Sequence, residues 1–87
     1  MKIKEGYILK NVSGKNIVVP VGEEAVNFNG LIKLNSSGKM LFEAMHRDVE
    51  MIQLVQLMLV HYDIDEETAK NDVNAFVNKL KSKGIIE

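Results

Sequence analysis

Cysteine is absent from this sequence, which excludes disulfide scaffolds, cysteine-ligated zinc sites and thiol nucleophiles. Proline occurs once, at position 20, and 46% of the residues are hydrophobic, as is typical of a folded chain rather than a disordered one. No apolar run approaches the roughly 20 residues of a membrane span, and the first residues lack the apolar core of a signal peptide. We therefore expect a soluble cytoplasmic protein without a membrane partner.

An excess of charge is also missing. The chain has 11 Lys and Arg residues, of which only Arg47 is an arginine, against 12 Asp and Glu residues. This balance gives no overall field that would attract nucleic acid. A length of 87 residues suits one domain, so we expect a single domain that spans residues 1–87.

The sequence lacks the usual patterns of catalytic and metal sites. His46 and His61 do not have the i,i+4 spacing that places two imidazoles on one helical face. The acidic stretch 63–67 lacks the central glycine and terminal glutamate of a calcium loop. The serines do not occur in a nucleophile-elbow pattern, and the glycines do not form a phosphate-binding loop. We expect no enzyme activity, no metal site and no cofactor.

The apolar residues that are present change their period once, near Asn35. Before it, β-branched and aromatic runs alternate with turn-forming residues. Pro20 should lie at the end of the second strand or face an open side of the sheet, because proline cannot donate to a ladder. Asn29-Gly30 suits a type I′ turn. The pattern predicts an antiparallel meander of short strands at residues 7–12, 17–19, 25–28 and 31–34.

After Asn35 the apolar spacing is helical, and it predicts three helices. Asn35 should cap the first, which ends near Arg47, and Asp48 should cap the second. The second helix is apolar on more than one face between Met51 and Tyr62, so we expect it to cross the middle of the core.

The third predicted helix starts at the acidic stretch 65–67 and ends before Gly84 at the C′ position. Ile85 and Ile86 should then fold back onto the core. Its predicted buried stripe consists of Ala69, Val73, Phe76, Val77 and Leu80. Strands followed by three helices predict an α+β fold with the helices on one side of the sheet.

Sheet plus three helices also describes a winged helix, so nucleic-acid binding is an alternative function. A groove-reading helix needs several exposed cations or amides. The second helix has no Lys or Arg between Met51 and Tyr62. The third helix also contains three acidic residues, Glu66, Glu67 and Asp72, beside its lysines Lys70, Lys79, Lys81 and Lys83. Lysines in a last turn usually interact with the helix dipole, so this charge pattern argues against nucleic-acid binding.

The strand 31–34 has only Lys33 as protection of its edge, and an unprotected edge beside a helix is a site for β-augmentation by a peptide. Most such edges recruit no partner, so a structural or dimerising module that uses the edge is a further alternative. Val60 is similarly open to two interpretations, as part of an interaction surface or as a scattered surface valine.

Two segments, 30–38 and 72–80, followed by Gly84-Ile85-Ile86, resemble the PqqD family. The family has a Leu-Asn-x-Thr-Gly junction before its first helix, and Asp-Val-x-x-Phe-Leu-x-x-Leu-x-x-x-Gly-Leu closes the domain. Ser37 stands here where threonine is usual, and Phe42 where tryptophan or another large residue is common. The resemblance covers nearly the whole chain and implies a winged-helix-like fold.

The resemblance implies a non-catalytic protein that binds the leader segment of a ribosomally made precursor peptide as an extra strand, between the third strand and the third helix. It would present the precursor to a modifying enzyme, often a radical S-adenosylmethionine maturase, as a monomer or weak homodimer. Phe76 fits the core better than the pocket, by its place in the apolar stripe. Transferred by position, the peptide-binding residues are Leu31, Ile32, Lys33 and Leu34 on the strand and Asp72, Phe76, Lys79 and Lys83 on the helix. A proline at Ile32 should then abolish binding without unfolding the protein.

Overall fold

The computed structural model describes residues 1–27 and 31–87. In this part of the chain, antiparallel strands precede three longer helices, which confirms the predicted α+β fold. One additional short helix lies between the second and third strands. The elements are β1 (Tyr7–Val12), β2 (Lys15–Pro20), α1 (Glu24–Asn27), β3 (Ile32–Leu34), α2 (Ser36–Ala44), α3 (Met51–His61) and α4 (Glu66–Ser82).

The sheet has the strand order β1-β2-β3, with both pairs antiparallel. β1 and β2 are joined by Ser13 and Gly14, whose φ angles are 53° and 80°. Positive φ at both central residues defines a type I′ turn, the connection that matches the twist of two strands. Pro20 is the last residue of β2, as predicted.

The predicted strand at 25–28 is wrong, because α1 covers Glu24–Asn27. A turn starts it, with the amide of Ala25 donating to the carbonyl oxygen of Gly22 at 3.2 Å. The hydroxyl of Tyr7 lies 3.0 Å from Oε2 of Glu24 and ties this segment to β1. This tertiary contact outweighs the strand preference of a four-residue run, which is weak. Phe28 and the predicted Asn29-Gly30 turn lie outside the described residues.

Asn35 caps α2 as predicted, since its Oδ1 accepts a hydrogen bond from the amide of Gly38 at 2.8 Å. The prediction that Asp48 caps the next helix is wrong. The N-cap of α3 is Glu50, whose amide donates to Oε1 of Gln53 at 2.8 Å. Asp48 instead accepts a hydrogen bond from the amino group of Met1 at 2.6 Å.

α3 does not cross the middle of the core, contrary to the prediction. Its buried residues are Leu54, Val55 and Met58, whereas Ile52 is 59% exposed and Val60 79% exposed. The helix packs mainly on α4 and α2, so one of its faces has no neighbour in the described part of the chain. The apolar residues on more than one face of α3 therefore led to an overestimate of how much of the helix is buried.

α4 follows the prediction closely. Asp65 caps it, accepting from the amide of Thr68 at 2.7 Å, and Gly84 adopts φ +72° just beyond its end, where a left-handed residue commonly stops a helix. Ile85 is fully buried and Ile86 pairs with Ile3, so the last residues return to the core as expected. Phe76 differs from the prediction, because it is only partly buried.

The strands and helices share one apolar core. Strand, helix and terminal residues all contribute side chains to a single cluster. Its fully buried members with the largest side chains are Phe42, Leu41, Met45, Leu54, Leu80, Ile85, Val18, Val73 and Val77.

Candidate functional site: a cleft beside the edge of β3

β3 is an edge strand, and no other strand pairs with its outer side among residues 1–27 and 31–87. Antiparallel pairs alternate between residues that exchange hydrogen bonds and residues that do not. The two-residue turn makes Val12 and Lys15 a bonded pair. The alternation agrees with the bond from the amide of Val21 to the carbonyl oxygen of Gly6, 2.7 Å long, at the other end of the pair.

The same alternation extends from the β1-β2 pair to the β2-β3 pair. It therefore determines which peptide groups of β3 have no partner in β2. Ile32 and Leu34 pair with Val18 and Asn16, whose peptide groups face away from β1 and toward β3. The peptide groups of Lys33 therefore point to the open side. Leu31 directly precedes β3, and the same alternation would turn its peptide groups outward if the strand were extended by one residue.

The predicted strand residues thus divide into two kinds. Ile32 and Leu34 are buried, with 2% and 8% of their surface exposed, and belong to the core and to the ladder with β2. Leu31 and Lys33 are exposed, and Lys33 presents the free edge of β3. A proline at Ile32 would remove a bond of the sheet itself, so the sequence-based choice of this position as a harmless edge substitution is wrong on structural grounds.

Gly38 forms the floor beside this edge. A Cβ atom at Gly38 would lie 3.4 Å from Cβ of Leu34, 3.2 Å from Oδ1 of Asn35 and 3.3 Å from Cε1 of Phe76. These distances join the end of β3, the start of α2 and the middle of α4. The absence of a side chain at Gly38 therefore lets the Phe76 ring approach the strand.

The wall opposite the edge is α4. Asp72 and Phe76 line a cleft of about 230 Å³, so two of the four predicted helix residues share a cavity next to β3. Lys79 and Lys83 follow at spacings of three or four residues and lie on the same stripe of the helix. The cleft is lined by Asn35, Ser37, Gly38, Leu41, Met58, Asp72, Ala75 and Phe76.

Several lining residues were not predicted as site residues. Leu41 and Met58 are buried residues of α2 and α3 that supply apolar floor. The sequence predicts only a capping role for Asn35. Gly38 lies inside the motif that carries the family resemblance, and that motif was the one available signal for it. Which residues line the cleft depends on contacts between elements that are far apart in sequence. The periodicity of apolar residues does not predict such contacts.

The charged groups of the wall are unpaired. Across the described residues, ion pairs join the Met1 amino group to Asp48 and Lys70 to Glu66, and Asp72, Lys79 and Lys83 take part in neither. All three side chains are exposed. They are available to a ligand in the cleft.

Two other surfaces of the described residues could also bind a ligand. A wider apolar groove of about 500 Å³ lies between α3 and α4, with Ile52 and Leu59 on one side and Lys70 on the other, but no strand borders it. β1 also has an open edge, beside the exposed side chains of Lys39 and Glu43 on α2 in a polar depression. The cleft at α4 differs from both, because it has a floor of buried apolar residues and begins at Asn35, the residue that directly follows the open strand β3.

The described residues contain no helix with the length and apolarity to cross a bilayer. They also contain no cluster of three His, Asp or Glu side chains that could hold a metal ion. What they do contain is an open strand edge whose C-terminal end adjoins a partly apolar cleft walled by α4. This arrangement defines a small α+β domain of the kind that can accept an extended peptide segment.

The chain belongs to the PqqD family. The family model described as coenzyme PQQ synthesis protein D matches residues 7–86, which confirms the resemblance seen in the sequence. No match is found among curated protein sequences.

Two solved structures are similar in fold. A complex of TbiB1 with the TbiA(beta) leader peptide superimposes with a TM-score of 0.78 at 16% identity and covers 100% of this chain and 95% of that one. A lasso peptide synthetase B1 in complex with its leader peptide gives a TM-score of 0.74 at 13% identity, covering 97% and 93%. At these identities the likeness concerns the fold.

Proposed function

We propose that this protein is a non-catalytic recognition domain that binds the leader segment of a ribosomally made precursor peptide as a fourth strand along β3. The observation that carries the proposal is the open edge of β3 at Lys33, whose C-terminal end adjoins a cleft walled by α4 in a member of the PqqD family. Both similar structures are leader-peptide complexes, which supports a peptide as the ligand.

The energetics show why the cleft matters as much as the edge. Lys33 in β3 and Leu31 just before it each have one N–H and one C=O, so strand addition at these two residues supplies up to four hydrogen bonds. At about 0.5–1.5 kcal/mol each, they roughly offset the ~2–5 kcal/mol cost of ordering a flexible peptide. Micromolar affinity, about −8 kcal/mol, therefore requires burial of alternate guest side chains against Gly38, Leu41 and Phe76.

The bound precursor would be presented to a modifying enzyme, such as a radical S-adenosylmethionine maturase. This division of labour needs no catalytic residues in the recognition domain. We place the activity in the cytoplasm, where ribosomal precursors are made.

A pair of substitutions at one residue tests strand addition. Lys33→Pro removes the outward N–H while leaving the ladder between β2 and β3 intact, and Lys33→Ala removes the side chain but keeps that N–H. We expect Lys33→Pro to abolish binding of leader peptides encoded beside this gene, measured by isothermal titration, and Lys33→Ala to retain it. Circular dichroism would verify the fold of each variant.

The edge of β1 provides a matched control. The peptide groups of Asn11 face away from β2 by the same alternation, so Asn11→Pro blocks the other open edge. We expect this variant to bind leader peptide normally. Loss of binding in Asn11→Pro with retention in Lys33→Pro would move the site to β1 and contradict the proposal.

A further inference from the structure

β3 and α4 run in opposite directions along the cleft. The end of β3 at Leu34 lies beside Phe76, because both border the space next to Gly38. Asp72, one turn earlier in α4, shares the cleft with Asn35, the residue that follows β3. The C-terminal end of β3 therefore adjoins the Asp72 part of the helix.

The opposite end of the sheet adjoins the C-terminus of α4. The amide of Lys4 donates to the carbonyl oxygen of Ile85 at 2.8 Å, just beyond the end of the helix. Three residues after Lys4 the chain enters β1 at Tyr7, at the end of the sheet where β3 begins with Ile32. The stripe from Asp72 to Lys83 thus runs antiparallel to β3.

The charge on this stripe is polarised. Asp72 lies at one end and Lys79 and Lys83 at the other, and the described residues provide no salt-bridge partner for any of them. Like charges four residues apart, as in Lys79 and Lys83, disfavour the isolated helix. The α2 N-terminus, near Asp72, carries roughly half a positive charge. Asn35 already satisfies one of its amides, so the full charge of Asp72 dominates that end.

We infer that the captured segment carries a basic side chain in its N-terminal part and acidic side chains in its C-terminal part. The inference rests on the proposed strand addition and adds the chemistry of the guest. The sheet is antiparallel throughout, so a guest strand antiparallel to β3 runs in the same direction as α4. Its first residues meet Asp72 and its last meet Lys79 and Lys83.

The spacing of the guest's charges follows from the helix and strand rises. Asp72 and Lys79 are separated by about 10 Å along the axis, and Asp72 and Lys83 by about 16 Å. A strand covers these distances in about three and five residues. Side chains on the helix-facing side recur every second residue, so acidic residues are expected two to about six positions after the basic one.

Selection from a display library of random peptides of roughly twelve residues tests this inference. Four proteins are compared at low salt: the native chain, K33P, the double variant K79E/K83E, and K81E. Lys81 is the matched control, because it has the same charge in the same last turn but lies on the flank of α4 that faces away from the cleft.

We expect the native chain and K81E to select peptides with basic residues first and acidic residues after. K79E/K83E should reverse the charge preference in the C-terminal part of the peptide. It should bind the native consensus peptide about tenfold more weakly, because two exposed ion pairs are lost. K33P should select none of these peptides.

The outcomes separate the two proposals. Peptides that depend on the Lys33 edge but show no charge order, or an order that K79E/K83E leaves unchanged or K81E alters equally, overturn the charge inference alone. Recovery of the same peptides by K33P, or of none by the native chain, overturns strand addition and this inference with it.

Discussion

Gly38 is the residue whose replacement most directly changes the cleft. Gly38→Ala places a Cβ atom 3.3 Å from Cε1 of Phe76 and 3.2 Å from Oδ1 of Asn35, so the ring must shift by a few tenths of an ångström. The gain in helix propensity, up to about 1 kcal/mol, opposes this crowding. We predict a small change in stability and roughly fivefold weaker peptide binding, measured by urea unfolding and by titration. Unchanged affinity would show that the floor does not shape the site.

Asp65 makes the start of α4 sensitive to acid. Hydrogen bonding from the backbone amide of Thr68 lowers the pKa of its carboxyl below the usual value. As pH falls, the unfolded chain takes up this proton first, so the stabilisation is present above about pH 4. It is lost as the pH falls through the lower pKa of the folded state.

Asp65→Asn keeps a capping oxygen but removes the titration. We predict that this variant loses less stability than the native chain between about pH 5 and pH 3, followed by urea unfolding at each pH. Asp48 also has a lowered pKa, owing to the hydrogen bond from the Met1 amino group, so part of the acid dependence should persist. An identical pH profile in both proteins would contradict the capping account.

Two apolar residues of the same helix differ widely in burial. Leu54 and Val60 both lie on α3, but Leu54 is 1% exposed and Val60 79% exposed. We predict that Leu54→Ala lowers the free energy of unfolding by about 3 kcal/mol. Val60→Ala should change it by no more than about 0.5 kcal/mol. Equal losses in thermal or urea unfolding would contradict the packing described for this helix.

The β1-β2 hairpin contains a residue that its turn does not favour. Ser13 adopts φ 53°, a conformation that asparagine and glycine tolerate better. We predict that Ser13→Asn raises the free energy of unfolding by about 0.5 kcal/mol without altering peptide affinity, since the turn lies outside the cleft. A destabilised variant in urea unfolding would show that the serine has a role of its own.

Sequence reasoning succeeded where local signals agree. The hairpin, the Asn35 cap, α4 and the return of Ile85 follow from turn residues, caps and period, and the structure has all of them. It failed at α1, where a bond between Tyr7 and Glu24 outweighs the preference of a short run. How much of α3 is buried depends on which other elements pack against it. The apolar pattern of a single helix cannot predict this.

For the whole molecule, the sequence indicated the elements of the candidate site but not its geometry. The resemblance pointed to one strand and one helix, and the structure brings Asp72 and Phe76 of that helix into a cleft that begins where β3 ends. Which peptide groups of β3 are free depends on register across the sheet, which the sequence leaves open. The register places Lys33 and not Ile32 at the open edge.

The most direct test of strand addition is amide hydrogen exchange at single residues, with and without bound peptide. In the free protein the amide of Lys33 should exchange quickly, whereas those of Ile32 and Leu34 should be protected by β2. Saturation with a bound leader peptide should slow exchange at Lys33 by at least about tenfold and leave the amide of Asn11 on the β1 edge unchanged. Peptide binding at saturation with no added protection at Lys33 would contradict the account.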